Sequence, residues 1–140
     1  MAVARYLVDK SAHARLHRAE VATVLDPLIQ RGLVATCGTA ALEFLYSAQS
    51  AADHHAINML IDSVFEWLPT GDRGFGRARD VSDRLAASGR HRAVGIADLI
   101  TAAVAERHRV TVLHYDSDFD IIAEITGQPM EWVVPKGTVS

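Results

Sequence analysis

Cysteine is all but absent from the chain. The single Cys37 excludes an internal disulfide framework and offers no thiolate cluster for a metal, so it reads as a small packed hydrophobe. A surplus of positive charge is also missing: 14 Lys and Arg face 17 Asp and Glu, a formal charge of -3. Proteins held to nucleic acid mainly by neutralising phosphates are usually basic, so any such contact has to be local. No apolar window approaches the length needed to cross a bilayer. The opening "MAVARYLVDKSAH" has a short apolar run broken by Asp9, unlike a secretion signal. Repeats, linkers and low-complexity segments are lacking as well. What is present is 49% hydrophobic residues in a chain of 140, enough for one domain, residues 1–140, with a real core. The expectation is a soluble cytoplasmic protein with no membrane association.

Strand and helix signals alternate along the chain. "YLVD" suits a buried strand ending near Asp9, and "RAEVATVLDPLIQRG" places Val21, Val24, Leu25, Leu28 and Ile29 at helical spacing with Gly32 as a stop. "LVAT" is a second strand, followed by helices over "TAALEFLYSAQS" and "AADHHAINMLIDSVF". "FEWLPT" predicts a short strand closed by Pro69. "GRARDVSDRLAASG" predicts a polar helix ended by Gly89, and "GIADLITAAVAERH" a far more apolar one. "VTVLHY" is the clearest strand, "DFDIIAEITG" a helix and "EWVVP" a last strand. Short strands that are apolar on both faces, separated by helices, predict an α/β fold: three layers, α/β/α, around a central, mainly parallel sheet of four or five strands. Ligands in such sheets gather at the carboxyl ends of the strands.

That rule singles out certain carboxylates. Asp9 follows "YLV" directly and serves either as a turn or cap residue or as a site acid. Glu43 is enclosed by Ala40, Ala41, Leu42, Phe44 and Leu45, yet its stripe also carries Thr39 and Ser47, so exposure to solvent is the simpler reading. Asp98 is the only acid in "VGIADLITAAVA", a helix apolar nearly all round. Thr101, Ala102 and Ala105 on its stripe leave room above the carboxylate, which points to a charged ligand or metal more than to a bare helix-start acid.

"LHYDSDFDII" holds three acids at alternate positions. With Ser117 as N-cap, Asp120 falls at the position of a capping box and Asp118 in the first turn, which leaves Asp116 outside the helix at a strand end. A calcium loop is rejected, because Ile121 and Gly127 stand where such a loop needs Gly and Glu. Four acids remain, Asp9, Glu43, Asp98 and Asp116, on one rim of the sheet. Clustered carboxylates cannot all ionise without a compensating cation, and hard oxygen ligands select Mg²⁺ or Mn²⁺.

This acid order on this strand–helix order resembles the PIN-domain ribonucleases, in particular the VapC-type toxins of bacterial toxin–antitoxin pairs. "YLVDKSA" resembles the opening strand with the first acid, "TAALEFLYSA" the glutamate segment, and "IADLITAAVA" and "LHYDSDFDII" the third and fourth motifs. The resemblance covers essentially the whole chain. It implies a metal-dependent endoribonuclease that hydrolyses RNA phosphodiesters with Mg²⁺ or Mn²⁺, forms a homodimer and is inhibited by a cognate antitoxin. Asp9, Glu43, Asp98 and Asp116 would be catalytic, with Asp9, Asp98 and Asp116 as metal ligands and Asp118 and Ser11 in support. Lys10 departs from the family pattern, which favours Thr or Ser beside the first acid; pointing inward it would compete with metal. Arg90 and Arg92, in a loop, are candidates for RNA phosphates, whereas Arg79/Asp83 and Asp80/Arg84 are i,i+4 partners suited to a solvated face.

Other signals carry less. His54 and His55 are adjacent on a helix and point apart, no zinc spacing exists, and the histidines read as surface residues. "GDRGFG" fits neither a Walker loop nor a dinucleotide fingerprint and reads as a flexible turn. Met59, Leu60, Phe65 and Trp67 read as core or dimer contacts, and Leu16, Val24 and Leu45 as core or the border of an antitoxin groove. Two rivals stand beside the nuclease. A receiver-type phosphoaspartate protein needs paired acids after the first strand and a lysine after a late one; "VDKS" and "VTVLHYDSD" supply neither. A non-catalytic PIN-like interaction module would have little reason to keep four acids.

Overall fold

In the computed structural model, which describes residues 3–140, strand β1 (Tyr6–Val8) lies at the centre of a five-stranded sheet. Its neighbours are β2 (Val34–Thr36) and β4 (Thr111–His114); β3 (Glu66–Trp67) and β5 (Met130–Trp132) form the edges. Every pairing is parallel, with Leu7 opposite Ala35 on one side and Val112 on the other. The expected mainly parallel sheet is thus wholly parallel. The order β3-β2-β1-β4-β5 differs from the flavodoxin-like receiver order, in which the second strand is outermost. Successive residues of the three inner strands, such as Leu7 and Val8 or Val112 and Leu113, are buried, with only Tyr6 and Thr111 half-exposed. Because side chains alternate across a sheet, both faces must be covered by helices, as three layers require. Met1 and Ala2, part of the expected domain, lie outside the described residues.

The covering elements are α1 (Lys10–His13), α2 (Ala19–Gln30), α3 (Gly38–Tyr46), α4 (Ala51–Val64), α5 (Gly71–Ala87), α6 (Ile96–His108) and α7 (Asp118–Thr126). Helix α6 is buried along most of its length, from Asp98 and Leu99 to Ala105, as its apolar composition demanded. The progression of strands across the sheet reverses about β1: the path leaves it toward β2 and β3, then returns to β4 on the other side. The carboxyl ends of β1 and β4 therefore flank the crevice where such folds bind ligands.

Several expectations need correction. "GDRGFG" is not a turn but the first turns of α5. Gly74 sits where α5 meets α6, and a Cβ there would come 2.9 Å from Thr70 Cγ2 and 3.9 Å from Val104 Cγ2, so the glycine serves close packing. The short α1 was not foreseen; Asp9 caps it by accepting a hydrogen bond from the Ser11 N–H at 2.9 Å. The last strand begins at Met130 and ends at Trp132. Ser117 precedes α7 but its side chain makes no capping bond, so no capping box forms; Asp120 instead accepts from the Trp132 indole at 3.1 and 3.2 Å. His54 and His55 are exposed, but His114 in β4 is fully buried and His13 packs its ring 4.7 Å from Phe44. Of the surface pairs, Arg84 reaches Asp80 at 3.8 Å, while Arg77 bridges to both Asp80 and Glu106. Phe65 is core; Met59, Leu60, Trp67 and Val24 are exposed.

Candidate active site

Two backbone features aim the first acid. The Asp9 N–H donates to the Leu113 carbonyl at 3.0 Å, which prolongs the β1–β4 ladder by one residue and fixes where the side chain leaves the sheet. Its Oδ2 accepts from the Ser11 N–H and, at 2.6 Å, from the Ser11 hydroxyl. The same hydroxyl oxygen accepts from the Tyr115 N–H at 2.8 Å. Ser11 thereby ties the end of β1 to the end of β4. The other oxygen, Asp9 Oδ1, is buried and has no partner at all, a costly state for a carboxylate unless something else is meant to bind it.

On the β4 side, Asp116 Oδ1 accepts from the Asp118 N–H at 2.9 Å, and Asp118 Oδ2 accepts from the Gly95 N–H at 3.1 Å. Asp98 stands in the first turn of α6, buried, with Gly95 close enough that a Cβ would sit 3.5 Å from Asp98 Oδ2. Below it, Thr101 and Thr39 share a 2.7 Å hydrogen bond that pins α6 to α3 and so sets Glu43 against Asp98. Glu43 is half-buried and turned toward the other acids; the simpler reading of its sequence context, exposure, is not what the fold gives it. Carboxylate oxygens of Asp9, Glu43 and Asp98 lie within 4.8 Å of one another, and so do those of Asp98, Asp116 and Asp118. Asp98 belongs to both groups.

Such crowding opposes ionisation. Asp98 is pushed up to about 9 by burial, by a proton shared with Asp118 and by the charges of Asp9, Asp116 and Asp118. Burial, against the pull of the Ser11 hydrogen bonds, also raises Asp9, with the Asp116 charge adding to it. Glu43 is raised by burial and the Asp9 charge, partly offset by Lys10. An all-oxygen donor set with a vacant buried lone pair and protonation-prone acids fits a hard divalent cation, which would let these groups ionise together.

The cleft around these acids has a volume of about 710 Å³. Asp9, Ser11, Glu43, Asp98 and Asp116 all line it. Arg90 and Arg92 do not; the Arg90 guanidinium bonds Glu124 at 3.0 Å, and Arg92 is exposed. Five lining residues were not singled out as substrate contacts: Lys10, Arg15, Tyr115, Trp132 and Lys136. Lys10 does face this side of the molecule, its charge acting on Glu43. Tyr115 was signalled by its place beside Asp116 at a strand end. Lys136 lies in "PKGT", a turn signal that says nothing of where the turn docks.

Comparisons with known proteins bear on the fold and the family. The PIN domain family model matches residues 6–125. The chain is 48% identical to Ribonuclease VapC21 of Mycobacterium tuberculosis over 134 residues, covering 96% of this chain and 97% of that protein. It is 42% identical to Ribonuclease VapC18 of the same organism over 136 residues, covering 96% and 98%. Among solved structures, the fold is shared with VapBC2 from Rickettsia felis bound to a DNA fragment from its promoter: TM-score 0.74, 15% identity, 94% of this chain and 99% of that one.

Proposed function

The chain belongs to the PIN-domain family, among the VapC ribonucleases, and we propose that it is a metal-dependent endoribonuclease whose chemistry runs on Asp9, Glu43, Asp98 and Asp116. As a VapC relative it is read as the toxin of a toxin–antitoxin pair, with a cognate antitoxin as protein partner. The observation that carries the site assignment is the double group of carboxylates hinged on Asp98 in one cleft. Asp9, Asp98 and Asp116 would hold Mg²⁺ or Mn²⁺. When bound, such an ion supplies Lewis acidity toward a phosphate oxygen and a bound water of lowered pKa.

The chain's own groups do the rest. Ser11 and the Asp118 N–H orient Asp9 and Asp116 before substrate arrives, so neither carboxylate has to reorganise. Glu43, half-buried and raised, is the acid best placed to accept a proton from the attacking water at its carboxylate. Asp118, its carboxylate within 4.8 Å of those of Asp98 and Asp116 and held by the Gly95 N–H, supports the site from beside them. Homodimerisation and a cytoplasmic location complete the reading; no helix of the described residues is long and apolar enough to cross a membrane.

The test is cleavage of a mixed-sequence RNA by purified protein with Mg²⁺, Mn²⁺ or EDTA. Cleavage that needs the ion and disappears in Asp9→Asn and Asp98→Asn supports the assignment. Activity indifferent to those changes, or to EDTA, rejects it. Growth arrest on expression, relieved by a small co-expressed neighbour, would distinguish a toxin from a housekeeping nuclease.

A further inference from the structure

An acidic cleft that takes RNA must find cations for the flanking phosphates, and the expected Arg90 and Arg92 lie outside its lining. Three cations do line it: Lys10, Arg15 and Lys136. Lys10 sits by Glu43 and offsets that charge. Arg15 is engaged twice, donating to the Ser11 carbonyl at 2.7 Å and lying 4.6 Å above the Tyr115 ring. Lys136 is different. No carboxylate among the described residues lies within ion-pairing distance of its ammonium, and its nearest aromatic partner is the Trp132 ring, 5.9 Å from Nζ.

The segment carrying Lys136 is held in place. Residues 135–138 close a tight turn in which the Pro135 carbonyl accepts from the Thr138 N–H at 3.0 Å, with Gly137 at φ +88° in the third position, where only glycine is unstrained. The Tyr115 hydroxyl then fastens the turn. It donates to the Val139 carbonyl at 2.7 Å and accepts from the Gly137 N–H at 2.9 Å and the Val139 N–H at 3.1 Å. Val139 is buried, and Arg18 reaches the Ser140 hydroxyl at 3.2 Å. Tyr115 is the residue before Asp116, so the strap is fastened to the strand end that carries a site acid.

We propose that residues Pro135–Ser140 form a built wall of the cleft whose Lys136 binds an RNA phosphate flanking the scissile bond, with Tyr115 as the positioning residue that sets it there. This rests on the ribonuclease reading above. A strap that closed the site would pair its ammonium with the acids; this one leaves the ammonium unpaired and available to a substrate anion. Arg15, its guanidinium 4.6 Å from the Tyr115 ring centroid, packs on the ring that makes these three hydrogen bonds.

The experiment measures affinity for a fluorescent single-stranded RNA by anisotropy in EDTA, where no cleavage intrudes, over a series of salt concentrations. Steady-state cleavage with Mn²⁺ is run beside it. Lys136→Ala should weaken binding roughly three- to tenfold and flatten the slope of log K against log salt by about 0.7, the share of one phosphate on a single strand. KM should rise with kcat nearly unchanged, and Lys136→Arg should restore most of the loss. Tyr115→Phe should speed hydrogen exchange at the Gly137 and Val139 amides, and adding Lys136→Ala to it should cost no further affinity. Unchanged affinity and slope in Lys136→Ala overturn the proposal, as does faster cleavage, which would make the strap inhibitory. Loss of a protein partner with RNA binding intact overturns it too. Wild-type protein that binds RNA but cleaves none with either ion refutes the ribonuclease reading and leaves the subsite standing.

Discussion

Replacing Asp98 by Asn should make the metal-free protein more stable while abolishing its response to metal. The carboxyl is pushed up to about 9, against an ordinary value of 3.8. Between those values the unfolded chain gives up a proton that the folded protein keeps, so folded stability falls as pH rises and levels off only above the upper value. At about 1.4 kcal/mol per pH unit, the cost to wild type at pH 7 has a ceiling of about 4 kcal/mol. The cleft is open to water, which screens part of that, and a net gain of about 2 kcal/mol on substitution is the expected scale. Asparagine carries no ionisable proton, keeps the volume, and its amide can donate to Asp118 as the protonated acid does. Thermal denaturation in EDTA at several pH values is the assay. The two proteins should nearly coincide close to pH 4.5 and diverge as pH rises, with Asp98→Asn ahead by roughly 5–10 °C at neutral pH. Mn²⁺ should then close the gap, stabilising wild type by about 3 kcal/mol at a hundred times its dissociation constant and the variant hardly at all. A variant less stable than wild type at pH 8, or a gap that ignores pH, would refute the reasoning, as would equal stabilisation of both proteins by Mn²⁺.

Three further outcomes follow from the packing. Ser11→Ala leaves the Tyr115 N–H without its acceptor and takes one hydrogen bond from Asp9 Oδ2, so unfolding free energy should drop by about 1–2 kcal/mol in denaturant titrations, with kcat falling more than KM changes. His114, buried and lowered to about 4, stays neutral while the unfolded chain protonates near 6.5; stability is present above pH 6.5 and lost as pH falls toward 4, by about 3 kcal/mol at most. NMR titration should find the His114 ring neutral at pH 5, and a ring that titrates near 6.5 would contradict the burial argument. Gly74→Leu should cost about 2 kcal/mol or more, because even a Cβ presses on Thr70 and approaches Val104; Gly76→Ala on the same helix meets nothing within 4 Å and should gain up to about 1 kcal/mol in chemical denaturation.

The sequence by itself determined the kind of sheet, most of the helices and which acids gather in one cleft. Short runs such as "YLV" and "VTVLH", mostly apolar and with successive residues buried, leave no face for solvent, and burial on both faces is what a helix-covered parallel sheet provides. Asp98 could be picked out because a lone acid in a buried helix has to be paid for by a ligand or partner. What the chain could not show was decided by tertiary structure. Glu43 meets Asp98 because α3 packs on α6, a contact between residues far apart in the chain that the Thr39–Thr101 bond spans. The stretch "GDRGFG", which signals a turn locally, forms the first turns of α5; of its three glycines Gly74 alone is confined, a Cβ there meeting the Thr70 side chain at 2.9 Å, while Gly71 and Gly76 face open space. Asp120 found an indole rather than a backbone amide, since only the fold brings Trp132 beside α7. Lys136 followed the same logic. A turn sequence announces its own shape through Pro135 and Gly137, but where it docks was settled by one hydroxyl, Tyr115, whose three hydrogen bonds exist only once β4 is in place. Local patterning fixes which groups are available; the long-range pairing of strands fixes which of them meet.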